Sequence, residues 1–198
     1  MKILTVFILI VFSPTLLAQN FFYRSDSRAP TGPSGIFETG FHPWGENDNL
    51  LNHVEADSLG EHDEALGSAF VATSTDVNVA FDISATEAGD GTKFYIYEVR
   101  PTDNFYSVEI SFREWGRKDS GYLRALDNFG DQHEYVAFGG ISREQIRKAT
   151  LYQIVNGVSV SSGVEYNTHY QEITSAANLG PYPHMYPSGA QTQYSMCK

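Results

Sequence analysis

The sequence predicts a single α+β domain, an antiparallel β-sheet core with short flanking helices. Three observations lead there. Tyrosine (12) and phenylalanine (13) are abundant in a chain of 198 residues, and aromatic side chains favour the half-buried surface of a strand. Phe94–Val99 alternates aromatic and β-branched residues, the period of a strand. Asn156-Gly157 separates two strand-like runs, Thr150–Val155 and Val158–Ser161, and that dipeptide is a strong hairpin signal. A chain of this length suits one domain with its own core.

The elements follow in order. Lys2, the apolar run Ile3–Phe12, the Ser13-Pro14 break and Leu16-Leu17-Ala18 read as a secretory signal peptide over residues 1–18. The run is short for a membrane span, so residues 19–198 are expected as one secreted catalytic-sized domain without a membrane anchor. Phe21-Phe22-Tyr23-Arg24 is strand-like, and Ser25–Gly45 reads as loop with one short helix. Leu50, Leu51 and Val54 keep helical spacing and carry His53 with them. Phe70–Thr73 is a short strand, Val77–Ile83 fits helix or strand, Tyr122–Leu126 a helix, and Tyr135–Phe138 a strand ending in Gly139-Gly140. Ser142 and Gln145 form a capping box that predicts a helix over 143–148. From about Asn178 the chain reads as an extended tail.

Charge and cysteine use narrow the function classes. The formal net charge is −11. A field of that sign repels phosphate backbones and argues against a nucleic-acid partner, leaving only a local basic patch around Arg24, Arg28 and Arg143–Lys148. The one cysteine, Cys197, cannot form an intrachain disulfide. The histidines lack metal-ligand spacing, and Glu61, Asp63 and Glu64 read as a solvated loop, so no metal is expected.

Three separated pieces carry candidate chemistry. Arg24 is a cation inside a strand-like run, Thr73-Ser74-Thr75 ends a strand with hydroxyls, and Gln132-His133-Glu134 opens another. Strand alternation puts Gln132 and Glu134 on one face. Each piece alone is common in proteins; their order is not. Tyr23-Arg24-Ser25-Asp26-Ser27-Arg28 resembles the opening strand of the cholera and pertussis toxin catalytic subunits. Gly40-Phe41, Trp44–Asn49 and Leu51-Asn52-His53 are similar to the pertussis-type block before a catalytic histidine. Ala69–Ser74, Tyr95–Arg100, Asn104-Phe105-Tyr106, Gln132-x-Glu134-Tyr135, Ile141–Glu144, Asn156-Gly157 and Glu165-Tyr166-Asn167 continue the series. From Phe22 to Tyr186 the chain resembles the pertussis toxin catalytic subunit family of mono-ADP-ribosyltransferases.

That resemblance implies an ADP-ribosyltransferase-type sheet and NAD as substrate. It implies Glu134 as the carboxylate that stabilises the oxocarbenium-like ribose, Gln132 as its partner toward the acceptor, and His53 as an aid to deprotonation of the nucleophile. Arg24, supported by Asp26, is implied as the NAD diphosphate contact, Thr73 and Ser74 as lining of the nicotinamide-ribose pocket, and Trp44 as an NAD-binding ring. Phe129 resembles the aromatic by which Rho-modifying exoenzymes contact their target. Read from the residues alone, His53 also fits a helix cap, and Trp44 and Phe129 fit core positions. Arginine-modifying members carry Glu-x-Glu, so Gln132 implies a non-arginine acceptor on a host protein. Ala72 departs from the family, standing where a first serine usually orients the glutamate, so that either Thr73 substitutes or Glu134 is less well held. Leu59 stands where the pertussis-type cysteine is expected, and no docking onto a binding-subunit ring is expected. An NAD glycohydrolase, a DNA-guanine ADP-ribosyltransferase (pierisin-like relatives share Gln-x-Glu) and an inactive NAD-binding module are the competing readings.

Overall fold

The computed structural model describes residues 21–56, 66–86 and 88–188. The signal-peptide expectation for 1–18, Cys197 and the acidic stretch at Glu61, Asp63 and Glu64 fall outside them. Seven strands are β1 (Phe22–Asp26), β2 (Phe70–Ser74), β3 (Lys93–Val99), β4 (Phe105–Ser107), β5 (Glu134–Phe138), β6 (Ile146–Val155) and β7 (Val158–Tyr166). They form one sheet in the order β4-β5-β2-β1-β3-β6-β7, every pair antiparallel. Among the described residues, five short helices flank it: α1 (Ile36–Thr39), α2 (Leu50–Val54), α3 (Val77–Ala85), α4 (Val108–Gly116) and α5 (Ser120–Phe129). None of the described helices is long and apolar enough to cross a membrane.

Strand alternation builds the core on both faces. In β3, Phe94 and Ile96 pack with Ala80 of α3 and Ile154, while Tyr97 and Val99 pack with Phe22, Ile36, Phe37 and Phe41. In β2, Val71 joins that second cluster, and Phe70 turns to Leu50, Phe112, Tyr122 and Tyr182. A strand that is buried on both sides needs apolar residues in both phases, which the sequence supplies. The helices start where side chains can accept from free amides. Asn49 Oδ1 accepts from the amides of Leu51 and Asn52, Asp76 from Asn78, Ser107 from Ile110 and Asp119 from Gly121. The Asp76 cap decides Val77–Ala85 for helix, which hydrophobic spacing left open.

The predicted helix over 143–148 is not formed. The capping box is present, with Ser142 N–H donating to Gln145 Oε1 at 3.0 Å, but it closes only a 3-10 turn, Arg143–Gln145. Ile146 then pairs with Val99 and begins the ten-residue β6. Pairing along a whole strand outweighs the local preference of one turn. The tail is not loose up to Ser188. Tyr182 is fully buried, its amide donates to Ser111 Oγ at 2.9 Å, and Asp48 receives the hydroxyl of Tyr186 at 2.7 Å.

One irregularity positions the site. β1 and β2 are neighbours in the sheet, yet they share a single paired position, Tyr23 opposite Ser74. Elsewhere β2 pairs fully with β5, and β1 with β3. The sheet therefore parts between its two halves, and a cleft opens along the parting.

Candidate active site

The cleft has a volume of about 800 Å³ and is walled by Arg24, Trp44, His53, Phe129, Gln132 and Glu134, with Arg28 and His42 beside them. It lies in the range of small-molecule sites. A recess of about 180 Å³ adjoins it, bordered by Tyr23, Arg24, Thr73, Ser74, Gln132 and Glu134. Eight of the nine residues singled out in the sequence border one or other cavity, and Asp26 stands behind Arg24. They come from six separate segments, so only the fold brings them together.

Arg24 bridges the parted strands. Its Nη1 donates to the carbonyl of Ala72 in β2 at 2.9 Å, and Nη2 lies 3.5 Å from Asp26 Oδ2. Its guanidinium also sits 5.1 Å over the ring of Phe41. Burial draws Arg24 below its ordinary pKa, and the charge of Asp26 opposes that. Asp26 is held more tightly by Arg28 than by Arg24, through Nε at 2.9 Å, Nη2 at 2.7 Å and the backbone amide at 2.9 Å. Burial alone would raise Asp26, but these bonds outweigh it and keep the carboxyl below the usual range. Arg28 and Phe41 are functional neighbours that the sequence did not single out, although Arg28 stood in the basic patch.

Glu134 begins β5 opposite Ser74. Gln132 is not on the strand with it: the residue closes a 3-10 turn, Gly130–Gln132, and His133 turns left-handed at φ 47°. Simple strand alternation therefore fails here, and the turn, not the pleat, aims both side chains into one cleft. Nor does Thr73 take the place of a serine at position 72. Thr73 Oγ1 donates to the carbonyl of Tyr135 at 2.7 Å and Ser74 Oγ to that of Gln132 at 2.8 Å, so both hydroxyls brace the Gln-x-Glu backbone. The group that reaches the glutamate is His53, whose Nε2 lies 3.4 Å from Glu134 Oε1. His53 is buried, packs its ring 5.5 Å from that of Phe70, and places Nδ1 2.7 Å from Ser68 Oγ. Ser68 is a further residue that sequence reasoning missed.

The remaining two aromatics divide. Trp44 is 65% exposed at the cleft mouth, which rules out the core reading and leaves a free indole face for a flat ring. Phe129 ends α5, packs on the Phe70–Tyr182 cluster and also borders the cleft. It serves both surfaces.

Comparison with known proteins decides the family. The model of the family described as pertussis toxin, subunit 1, matches residues 18–195. The chain belongs to the pertussis toxin subunit 1 family. Pertussis toxin subunit 1 of Bordetella pertussis is 36% identical over 183 residues, covering 81% of this chain and 64% of the relative. The chain thus spans under two thirds of that subunit's length. A Vibrio cholerae protein named NAD(+)–arginine ADP-ribosyltransferase Chelt is 28% identical over 80% of this chain and 25% of its own. Among solved structures, EcPltA superimposes with a TM-score of 0.71 at 26% identity, covering 86% of this chain and 98% of that one. The sheet with short flanking helices is therefore the fold of this toxin family.

Proposed function

We propose that this member of the pertussis toxin subunit 1 family is a secreted mono-ADP-ribosyltransferase. It breaks the nicotinamide–ribose bond of NAD and moves ADP-ribose to a non-arginine side chain of a host protein. The observation that carries the reading is a carboxylate and a half-buried guanidinium, Glu134 and Arg24, walling one cleft between parted strands. Family membership supports the use of NAD and the transfer of ADP-ribose, as does the name of the Vibrio cholerae relative, although that name gives arginine as the relative's own acceptor.

The chemistry follows from charge. When the C1′–nitrogen bond of NAD breaks, its electron pair goes to the cationic nicotinamide, which leaves neutral, and positive charge gathers on the ribose. Glu134 offers fixed negative charge to that centre, where it is worth most in a water-poor cleft. The acceptor's nucleophile then bonds C1′ and gives up its proton to solvent. Arg24 supplies the planar donor fork that suits a diphosphate, and Trp44 an exposed face for a ring. Arg24→Lys is expected to weaken NAD binding about tenfold, because an ammonium cannot reproduce two parallel donors. Calorimetric titration with NAD reads this directly, and an unchanged Kd removes the phosphate role.

Gln132 borders both the cleft and its adjoining recess, beside Glu134. Its amide is neutral and can hydrogen-bond an acceptor, but it cannot form an ion pair with a guanidinium or deprotonate one. A cysteine, asparagine or glutamine side chain is therefore the expected acceptor. The test is labelled NAD in host lysate, with protein and nucleic-acid fractions separated and modified peptides sequenced by mass spectrometry. Label on arginine overturns the Gln132 argument. Label confined to nucleic acid overturns the argument from the −11 net charge, and free ADP-ribose alone identifies a glycohydrolase.

A further inference from the structure

Ser68 is completely buried just before β2, and its hydroxyl has two neighbours. The amide of Phe70 donates to Oγ at 3.1 Å, and His53 Nδ1 lies 2.7 Å from the same oxygen. On the other side of the ring, Nε2 faces Glu134 Oε1 at 3.4 Å. The directions of these bonds are constrained. Nε2 and Glu134 lie at ion-pair distance, and because a carboxylate only accepts, the approach is favourable only if Nε2 carries the proton. The Phe70 amide takes one of the two serine lone pairs and leaves the serine proton free, so with the ring proton on Nε2 the hydroxyl donates to the Nδ1 lone pair.

We infer that Ser68 is a positioning residue that holds the His53 ring with its Nε2–H toward Glu134, making the imidazole a hydrogen-bond donor that aims the Glu134 carboxylate. The inference rests on the proposed role of Glu134. It changes the role implied for His53 by resemblance. With one nitrogen protonated toward Glu134 and the other lone pair occupied by Ser68, the ring has no free site to take a proton from a nucleophile. Thr73 and Ser74 do not compete for this role, because their hydroxyls are bonded to backbone carbonyls. A buried ring whose partners fix both nitrogens is the usual way a protein selects a tautomer.

The test has a readout that does not need turnover. Nitrogen-15 NMR of the histidine rings, in the unliganded protein at mildly alkaline pH, is expected to show His53 neutral with its proton on Nε2. Ser68→Ala is expected to shift that ring toward the Nδ1–H form, and Ser68→Thr, which keeps the hydroxyl, to retain the native pattern. In NAD turnover, Ser68→Ala is expected to lower kcat by about 10- to 100-fold, as a misaimed catalytic group does, with KM for NAD within about threefold. The wild-type ring protonated on Nδ1, or on both nitrogens, overturns the inference. So does a folded Ser68→Ala protein with unaltered ring signals and kcat. Wild-type protein without any NAD turnover overturns the enzymatic reading instead, while the ring spectrum still decides the assignment of Ser68.

Discussion

Replacing Glu134 with glutamine is expected to lower NAD turnover by about a hundredfold or more, the usual cost of removing one fixed electrostatic stabiliser. That is about 2.7 kcal/mol of transition-state stabilisation. The substitution keeps volume and keeps an oxygen that His53 Nε2–H can reach, so the shape of the cleft is retained and only charge is lost. Glu134 is 11% exposed, and water therefore screens it little. NAD itself carries no developed charge on the ribose, so its Kd is expected to change by less than about threefold. Single-turnover release of nicotinamide, beside a calorimetric Kd, separates the two quantities. A variant that turns over within tenfold of wild type removes Glu134 from charge stabilisation, and one that only binds NAD poorly makes it a binding residue.

The sequence was most legible where one local rule dominates. β3 and the β6–β7 hairpin follow from alternation and Asn156-Gly157, and the hairpin closes as expected with Val155 opposite Val158. His53 was placed on a helix by Leu50, Leu51 and Val54, which is α2. Legibility failed where distant pairing decides. β4 is three residues long, too short to show a period, and it exists because Phe105–Ser107 pairs with β5. The 143–148 segment has a helix-start signal that β3 overrides by claiming Ile146 as a strand partner. In the site, Glu134 and Gln132 do share a cleft, but through the left-handed His133, a conformation that alternation cannot represent. Ser68 carries no motif. Its importance comes from lying next to a ring 15 positions earlier in the chain, a contact that only the folded backbone creates.

Truncating Tyr182 to alanine is expected to destabilise the fold by about 3 to 5 kcal/mol, as emptying a large aromatic site does. The ring is 1% exposed, although it belongs to a segment without regular secondary structure. It meets Phe70 edge-on at 5.0 Å and Tyr106 at 5.2 Å, and tilts against Phe138 at 5.7 Å. Its neighbours tie the same segment down at polar points: His184 Nδ1 lies 3.1 Å from Asp48 Oδ2, and Ser188 N–H donates to Asp119 Oδ2 at 2.6 Å. Asp48 adjoins the Asn49 cap of α2, and Asp119 caps α5. The tail therefore straps α2, which carries His53, and α5 onto the sheet face where Phe70 and Val136 lie. Tyr182→Phe separates packing from polarity. It keeps the ring and loses only a hydroxyl 3.5 Å from Asp48 Oδ2, so a loss of about 1 kcal/mol or less is expected. Urea unfolding of the two variants measures the difference. Alanine and phenylalanine variants of equal stability would mean that the ring contributes no packing. Since a typical domain is stable by only about 5 to 15 kcal/mol, the alanine variant is also expected to lose NAD turnover on mild warming. Phe70 joins the two effects, because the ring that packs on Tyr182 is the one against which His53 rests.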